Sequence, residues 1–583
     1  VRSLAPALLA FAVCCRALAQ DSRPEIKSEL QVIEQAINDW DIAGAKKALV
    51  ALGQVAPPDV EPLQYYKGRI AFEEGRYEEA VSALTAAGIP DKPGSYLRLA
   101  KDTRKVMEHH RRAESEHFIF FYPEGKDEVL APYALETLEA IRAALEADLG
   151  YQPPGKTRVE VVNDARELAK VSTLTYQQIS TTGTIAICKF SKLIITSPKA
   201  VVRGYDWQDT LAHEFTHLVV TQKSRNTVPI WLHEGIAKYL ESRWRGGPGL
   251  SISPSTLALL GERVKKSKLI SFEKMHPSIA LLPSAEDAAT AFAEVFFAVD
   301  LIYREQGAAG LRAIVEKLAH GAEEKAALEA ATERPFAAFE KAWMAHMKKQ
   351  PFPKEFIPLS DQKVVLKEQS PMGNKDKGRK GKEISFSDFA EVEEVGARKM
   401  AHLGELMRER GHPKAAADEY GKARTLVGDK YESISNKYAL ALLELHRVDE
   451  AEQVLQASLR LHPGSPATNV HLGRIYLSKK QFDRARVAYR SALAADPFDE
   501  EIHLSLVQIE TALGSKELAH RARSAAMVLT GLPAEMVDRV ALTMGKNDRP
   551  LSEASLPAQP ETHEAPEPAP LIGKLDEPDG GNL

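Results

Sequence analysis

The sequence predicts a multidomain chain in which one α+β unit is flanked by all-α helical repeats. Three observations predict it. The chain has 583 residues, more than one hydrophobic core usually serves. Small residues recur every 34 to 35 positions at Ala416, Ala451, Ala485 and Ala519. Between the periodic stretches, apolar strand-like runs come early and helical patterns late, the order of an α+β unit. The composition, 44% hydrophobic and 27% charged, excludes global disorder and a polytopic membrane protein. A net charge of −5 offers no electrostatic footprint for nucleic acid, so no such partner is expected. Three cysteines are too few for a disulfide framework or a Cys-based zinc finger.

In chain order, residues 1–19 read as a signal peptide. Arg2 precedes an apolar run, and Ala17-Leu18-Ala19 forms a small-residue cleavage site. The expected location is therefore exported, periplasmic or extracellular, with no other indication of membrane association. Cleavage would leave Cys188 as the one thiol, expected buried in an apolar strand. Residues 25–105 read as a short helical array, since Ala45 and Ala80 are 35 apart and Gly68 to Tyr77 reads as helix, turn and helix start. Two units are marginal alone, so this array is expected to pack on its neighbour.

Residues 113–350 form the α+β unit. Phe118-Ile119-Phe120-Phe121-Tyr122 and Arg158-Val159-Glu160-Val161-Val162 read as strands around a helix over 127–149. A hairpin follows, 184–188 and 193–196 joined by a short polar turn at 189–192, and either strand could offer an edge to an extended peptide. Helical patterns cover 285–305 and 308–318. Residues 351–395, with a basic, glycine-containing stretch at 367–383, read as a solvated flexible linker that raises the effective concentration of substrate at the cleft. In the array at 396–532, Gly473, Tyr476, Ala485, Tyr489, Ala492 and Pro497 resemble the tetratricopeptide (TPR) pattern, which implies a groove for a protein partner. The Pro- and acid-rich tail at 533–583 has too few large apolar groups to fold.

The chemistry-bearing motif is His213-Glu214-Phe215-Thr216-His217. On a helix, positions i and i+4 share a face, so two imidazoles can meet one Zn²⁺ at ~2.0–2.1 Å while Glu214 reaches a metal-bound water. A third ligand is needed to leave one position open, and Trp231-Leu232-His233-Glu234-Gly235-Ile236-Ala237 starts a second helical segment. Together these motifs resemble the gluzincin branch of zincin metallopeptidases. Residues 113–350 are similar to the peptidase MA-like family, including Thr210-Leu211-Ala212, Pro229 and a late helix ending at Gly307. The resemblance implies one zinc ion held by His213, His217 and Glu234, with Glu214 as general base. It implies an exported zinc metallopeptidase that hydrolyses peptide bonds, with the repeats docking substrate or partner.

His233 reads as a neighbour of the ligands or plain surface. Glu241 reads as an alternative ligand or a partner orienting a histidine, a role Asp209 could share. One departure weakens the catalytic expectation: where the family commonly has Ala-Tyr-Ala, this chain has Ala291-Phe292-Ala293. Loss of one oxyanion donor lowers turnover by ~10²–10³. Tyr205, Tyr239 and Tyr303 are the available substitutes. The alternative reading is a catalytically impaired zincin serving as a TPR interaction scaffold in the cell envelope.

Overall fold

A computed structural model describes residues 24–56, 61–202, 204–250, 252–276, 278–279, 282–353 and 389–544. The expected signal peptide, most of the linker and the tail beyond residue 544 lie outside the described residues. Within them, the mixed α+β region and the helical repeats expected from the sequence are both present.

The N-terminal array is five helices, Pro24–Asn38, Ile42–Val55, Glu61–Glu73, Tyr77–Ala86 and Tyr96–Met107. Ile26, Leu30, Ile33 and Ile37 recur at helical spacing and are buried. Gly68 allows the third and fourth helices to touch, because a Cβ there would lie 2.6 Å from the Leu84 side chain.

The α+β region holds a five-stranded sheet in the order β1-β2-β3-β5-β4. The strands are β1 (His110–Glu114), β2 (Phe118–Pro123), β3 (Thr157–Val162), β4 (Ala186–Lys189) and β5 (Lys192–Thr196). The three central strands are parallel, and β1 and β4 close the edges antiparallel. Helix Leu130–Leu149 is the crossover from β2 to β3 and ends on left-handed Gly150. β1 was not anticipated, because His-Arg-Arg-Ala-Glu carries no apolar alternation. Nor were the helices Ala165–Val171 and Tyr176–Thr182, whose seven residues each are too short to show a 3.6-residue period. The hairpin turn differs from the expected polar loop: it is the two residues Phe190 and Ser191, and Phe190 is buried. Cys188, expected to be buried, is only half-buried, because β4 is an edge strand.

Four helix pairs form the C-terminal array: Val395–Glu409 with Pro413–Val427, Glu432–Glu444 with Val448–Leu461, Pro466–Ser478 with Phe482–Leu493, and Glu500–Ala512 with Lys516–Thr530. The periodic small residues sit where helices cross. A Cβ on Gly473 would meet the Tyr489 ring at 2.7 Å. Two boundaries are corrected. Helix Ala534–Ala541, placed by the sequence in the unpacked tail, buries Val537 and Ala541 and covers the apolar end of the last repeat. Phe389 and Val392, placed in the linker, are buried at the head of the array.

The array is also more than a tethered module. The Tyr205 and Trp207 N–H groups donate to Ala495 O and Ala494 O at 3.3 Å each. The Trp207 indole Nε1 donates to Leu493 O at 3.2 Å. Gly204 adopts φ +67°, and a Cβ there would lie 2.0 Å from Ala495 O. Buried apolar residues of the array and of the α+β region form one continuous core. Among the described residues, no helix is long and apolar enough to cross a membrane.

Candidate active site

Helix Trp207–Ser224 carries the first motif, with Phe215 facing Phe118 of β2 at a ring separation of 5.1 Å. Its buried side is thereby fixed, and His213 and His217, one turn apart, emerge together on the other. Arg225 and Asn226 both adopt left-handed φ, near 55° and 59°, and end the helix. Pro229 then starts helix Ile230–Leu240. Gly235 seats this second helix against the long helix Ala285–Ala319, since a Cβ there would meet Val295 O and Val299 Cγ2 at 2.9 Å. Trp231 stacks on Phe272 at 4.2 Å and donates to Glu324 at 2.7 Å, fixing the start of the helix next to Glu234.

The two helices bring three donor atoms together. His213 Nε2 and His217 Nε2 are 3.0 Å apart, and Glu234 Oε2 lies 3.6 Å from the first and 3.4 Å from the second. Among the described residues, this is the one group of three or more His, Cys, Asp or Glu side chains compact enough to hold a metal ion. Donors at ~2.0–2.1 Å from a tetrahedral zinc ion would be roughly 3.3 Å from one another, so the residues fit such an ion with little movement.

Each histidine is held from behind. His213 Nδ1 lies 2.9 Å from Glu241 Oε2, whose other oxygen accepts from Lys238 Nζ at 2.5 Å. His217 Nδ1 lies 2.6 Å from His233 Nδ1, and His233 Nε2 lies 3.0 Å from Thr221 Oγ1. Glu241 therefore sits as an orienting partner, and His233 is neither surface nor part of the three-donor cluster. Asp209 does neither job: it accepts from Trp244 Nε1 at 2.8 Å and from Arg245 at 2.6 Å. Lys238 and Thr221 escaped the sequence reading. The signal for Lys238 was its i,i+3 spacing to Glu241, an ordinary ion-pair spacing on any helix.

The electrostatics follow from burial among opposite charges. Burial opposes charge on Glu234, but His217 and His213 hold its carboxyl well below the usual range. Burial likewise opposes the His213 imidazolium, yet its bonds to Glu234 and Glu241 push it up to about 10. Burial and the neighbouring His217 push His233 down to about 3, so it is neutral. Glu214 is buried, that burial raises its carboxyl, and it lies beside the backbone N–H of Cys188.

The three tyrosines are committed elsewhere. Tyr205 donates to Thr196 O. Tyr239 lies beside Asp300, and Tyr303 beside Asp148 and Arg243. Phe292 packs against the core.

Residues 138–349 match the family model described as Peptidase MA superfamily. Residues 403–466 and 442–509 match two models described as Tetratricopeptide repeat. The chain joins a Peptidase MA superfamily domain to tetratricopeptide repeats. The His213, His217 and Glu234 cluster lies inside the Peptidase MA match, and all four helix pairs overlap the TPR matches. No curated protein matches the chain. Among solved structures, yeast LTA4 hydrolase in complex with bestatin aligns at 11% identity and TM-score 0.27, over 74% of this chain and 67% of that one. The native yeast LTA4 hydrolase aligns at the same identity and TM-score over 75% and 67%. The APC/C hetero-tetramer Cut9-Hcn1 aligns at 12% identity and TM-score 0.25, over 89% and 97%. Scores this low carry no functional argument.

Proposed function

We propose that the protein is an exported zinc metallopeptidase that hydrolyses peptide bonds, with the repeat array receiving a substrate or partner protein. His213, His217 and Glu234 would hold the ion. The observation that carries the reading is the mutual 3.0 to 3.6 Å spacing of their donor atoms, drawn from two separate helices. Zinc bound there would polarise the scissile carbonyl and make water acidic enough to attack at neutral pH. Glu214 is the proton carrier. Its carboxylate oxygen takes a proton from the attacking water and returns it to the leaving amine. Burial, by raising the Glu214 carboxyl, brings its proton affinity closer to that of the groups it must serve. Glu241 and His233 hold the two imidazoles in orientation. β4, an edge strand beside Glu214, is the strand on which an extended peptide would lie, through main-chain groups other than the Cys188 N–H.

A second reading has its own support: Phe292 stands where the family commonly has Tyr, the Tyr205 hydroxyl donates to Thr196 O, and Tyr239 and Tyr303 lie beside Asp300 and Asp148. It is a zinc-holding scaffold without turnover. Zinc content and hydrolysis of casein or a peptide library, measured on wild type and Glu214→Ala, separate the two. The peptidase reading expects one zinc per chain in both and cleavage only in wild type, with a loss of about 10²–10⁴ in the variant. Zinc in both with cleavage in neither selects the scaffold, and absence of zinc from both defeats the two readings together.

A further inference from the structure

The turn joining β4 to β5 does not follow ordinary turn chemistry. Phe190 and Ser191 both adopt φ 56°, the left-handed region that two-residue hairpins normally fill with Asn-Gly. A bulky residue stays there only when its surroundings hold it. Those surroundings come from the N-terminal array. The Phe190 ring is buried in the array's own core, edge-on to Phe72 at 5.0 Å and to Tyr96 at 6.4 Å. Lys192, the first residue of β5 and fully buried, donates to Phe72 O at 3.1 Å and to the Tyr77 hydroxyl at 2.7 Å. Tyr77 in turn bonds Glu160 of β3.

The hairpin carries this grip to the site. Lys189 and Lys192 close the turn, and Cys188 pairs with Leu193. In an antiparallel ladder, alternate residues turn their main-chain groups away from the partner strand, and the Thr196 N–H to Ile185 O bond sets odd-numbered β4 residues inward. Cys188 therefore points its N–H outward from the sheet, toward the motif helix packed on β4, and lies beside Glu214.

We propose that the N-terminal array is a positioning device for the general base: by gripping Phe190 and Lys192 it holds the Cys188 N–H against the Glu214 carboxylate. Phe190 is the positioning residue, acting through the strand. The inference rests on the peptidase reading of Glu214, but its physical core, a strand edge held by the array, is testable without turnover.

The test compares the full chain with the double variant Phe190→Asn/Ser191→Gly, which supplies a favoured turn sequence while removing the anchor. Phe190→Leu, which keeps an apolar plug, is the conservative control. Amide hydrogen exchange at Cys188, zinc content and kcat on a casein peptide are measured. In the double variant the Cys188 amide exchanges faster and kcat falls by about tenfold, as expected for a displaced catalytic group, while one zinc per chain remains. Phe190→Leu stays within about twofold of wild type, since a conservative apolar exchange preserves the packing. Wild-type exchange at Cys188 in the double variant overturns the proposal, and so does faster exchange with kcat unchanged. If wild type hydrolyses no peptide, the peptidase reading fails, and the exchange measurement alone decides whether the array holds the strand.

Discussion

The two helical arrays meet the peptidase domain by opposite chemistries. On the C-terminal side, repeat and domain share one apolar core, and the loop carbonyls of Leu493, Ala494 and Ala495 receive N–H groups from Tyr205 and Trp207 at the start of the motif helix. On the N-terminal side the array keeps a core of its own, into which the domain inserts Phe190. Beside that aromatic plug the contact is ionic: Glu160 accepts from Tyr77 and Arg158, and Lys192 lies between the Phe72 and Tyr77 rings at 4.5 and 4.6 Å. Apolar burial is non-directional and tolerates adjustment, whereas a buried ionic cluster is directional and penalises the loss of any member. The N-terminal junction should therefore be fragile to single changes and exact in register. The C-terminal one should be robust.

Glu160→Ala tests the fragile side and carries the largest expected effect. It leaves buried Tyr77 and half-buried Arg158 without the carboxylate they share, and unfolding by denaturant should show a loss of about 3–5 kcal/mol. A loss under 1 kcal/mol would erase the distinction between the junctions. Between the junctions, Glu241→Gln weakens the orientation of His213 without touching either array, and zinc affinity in chelator competition should fall about 10–100-fold. Unchanged affinity would mean that Glu241 merely neutralises Lys238.

Trp207→Phe tests the robust side. The ring volume largely remains and only the bond to Leu493 O is lost, so the expected cost is about 1–2 kcal/mol in denaturant unfolding. A cost equal to that of Glu160→Ala would show that the C-terminal junction is no more forgiving.

A pH-dependent effect lies outside both junctions. Glu294 is buried on the long helix, accepts the Ile270 N–H at 3.0 Å, and is pushed by burial up to about 8. Between its unfolded value of 4.5 and about 8, the folded chain binds more protons at this site than the unfolded chain. Its contribution to stability is therefore greatest below pH 4.5 and is lost as pH rises through 8. Glu294→Gln should remove that slope, which is at most about 1.4 kcal/mol per pH unit. Denaturation midpoints at pH 5 and pH 8 that converge less than tenfold in stability ratio would indicate that Glu294 stays charged in the folded protein.

Much of the site was legible in the residues because a helix converts spacing into direction. His213 and His217 share a face by arithmetic alone, and the helix bearing Glu234 begins after Pro229 as the sequence suggested. The repeat register was legible for the same reason: small residues must recur where helices cross. β1 was not, because an exposed polar edge strand leaves no apolar pattern. The closing helix Ala534–Ala541 was not, because its apolar face is only two buried residues wide and its partners lie in the preceding repeat.

By itself the sequence determined the local geometry of the two motif helices, the repeat period and the chemical kinds of side chain available, all properties set within a few turns of backbone. Only the tertiary structure decided that Glu241 backs His213, that His233 backs His217 while Asp209 turns away to Arg245, and that Cys188 meets Glu214. Those choices depend on how separate elements pack across the fold, and spacing along the chain carries no information about them.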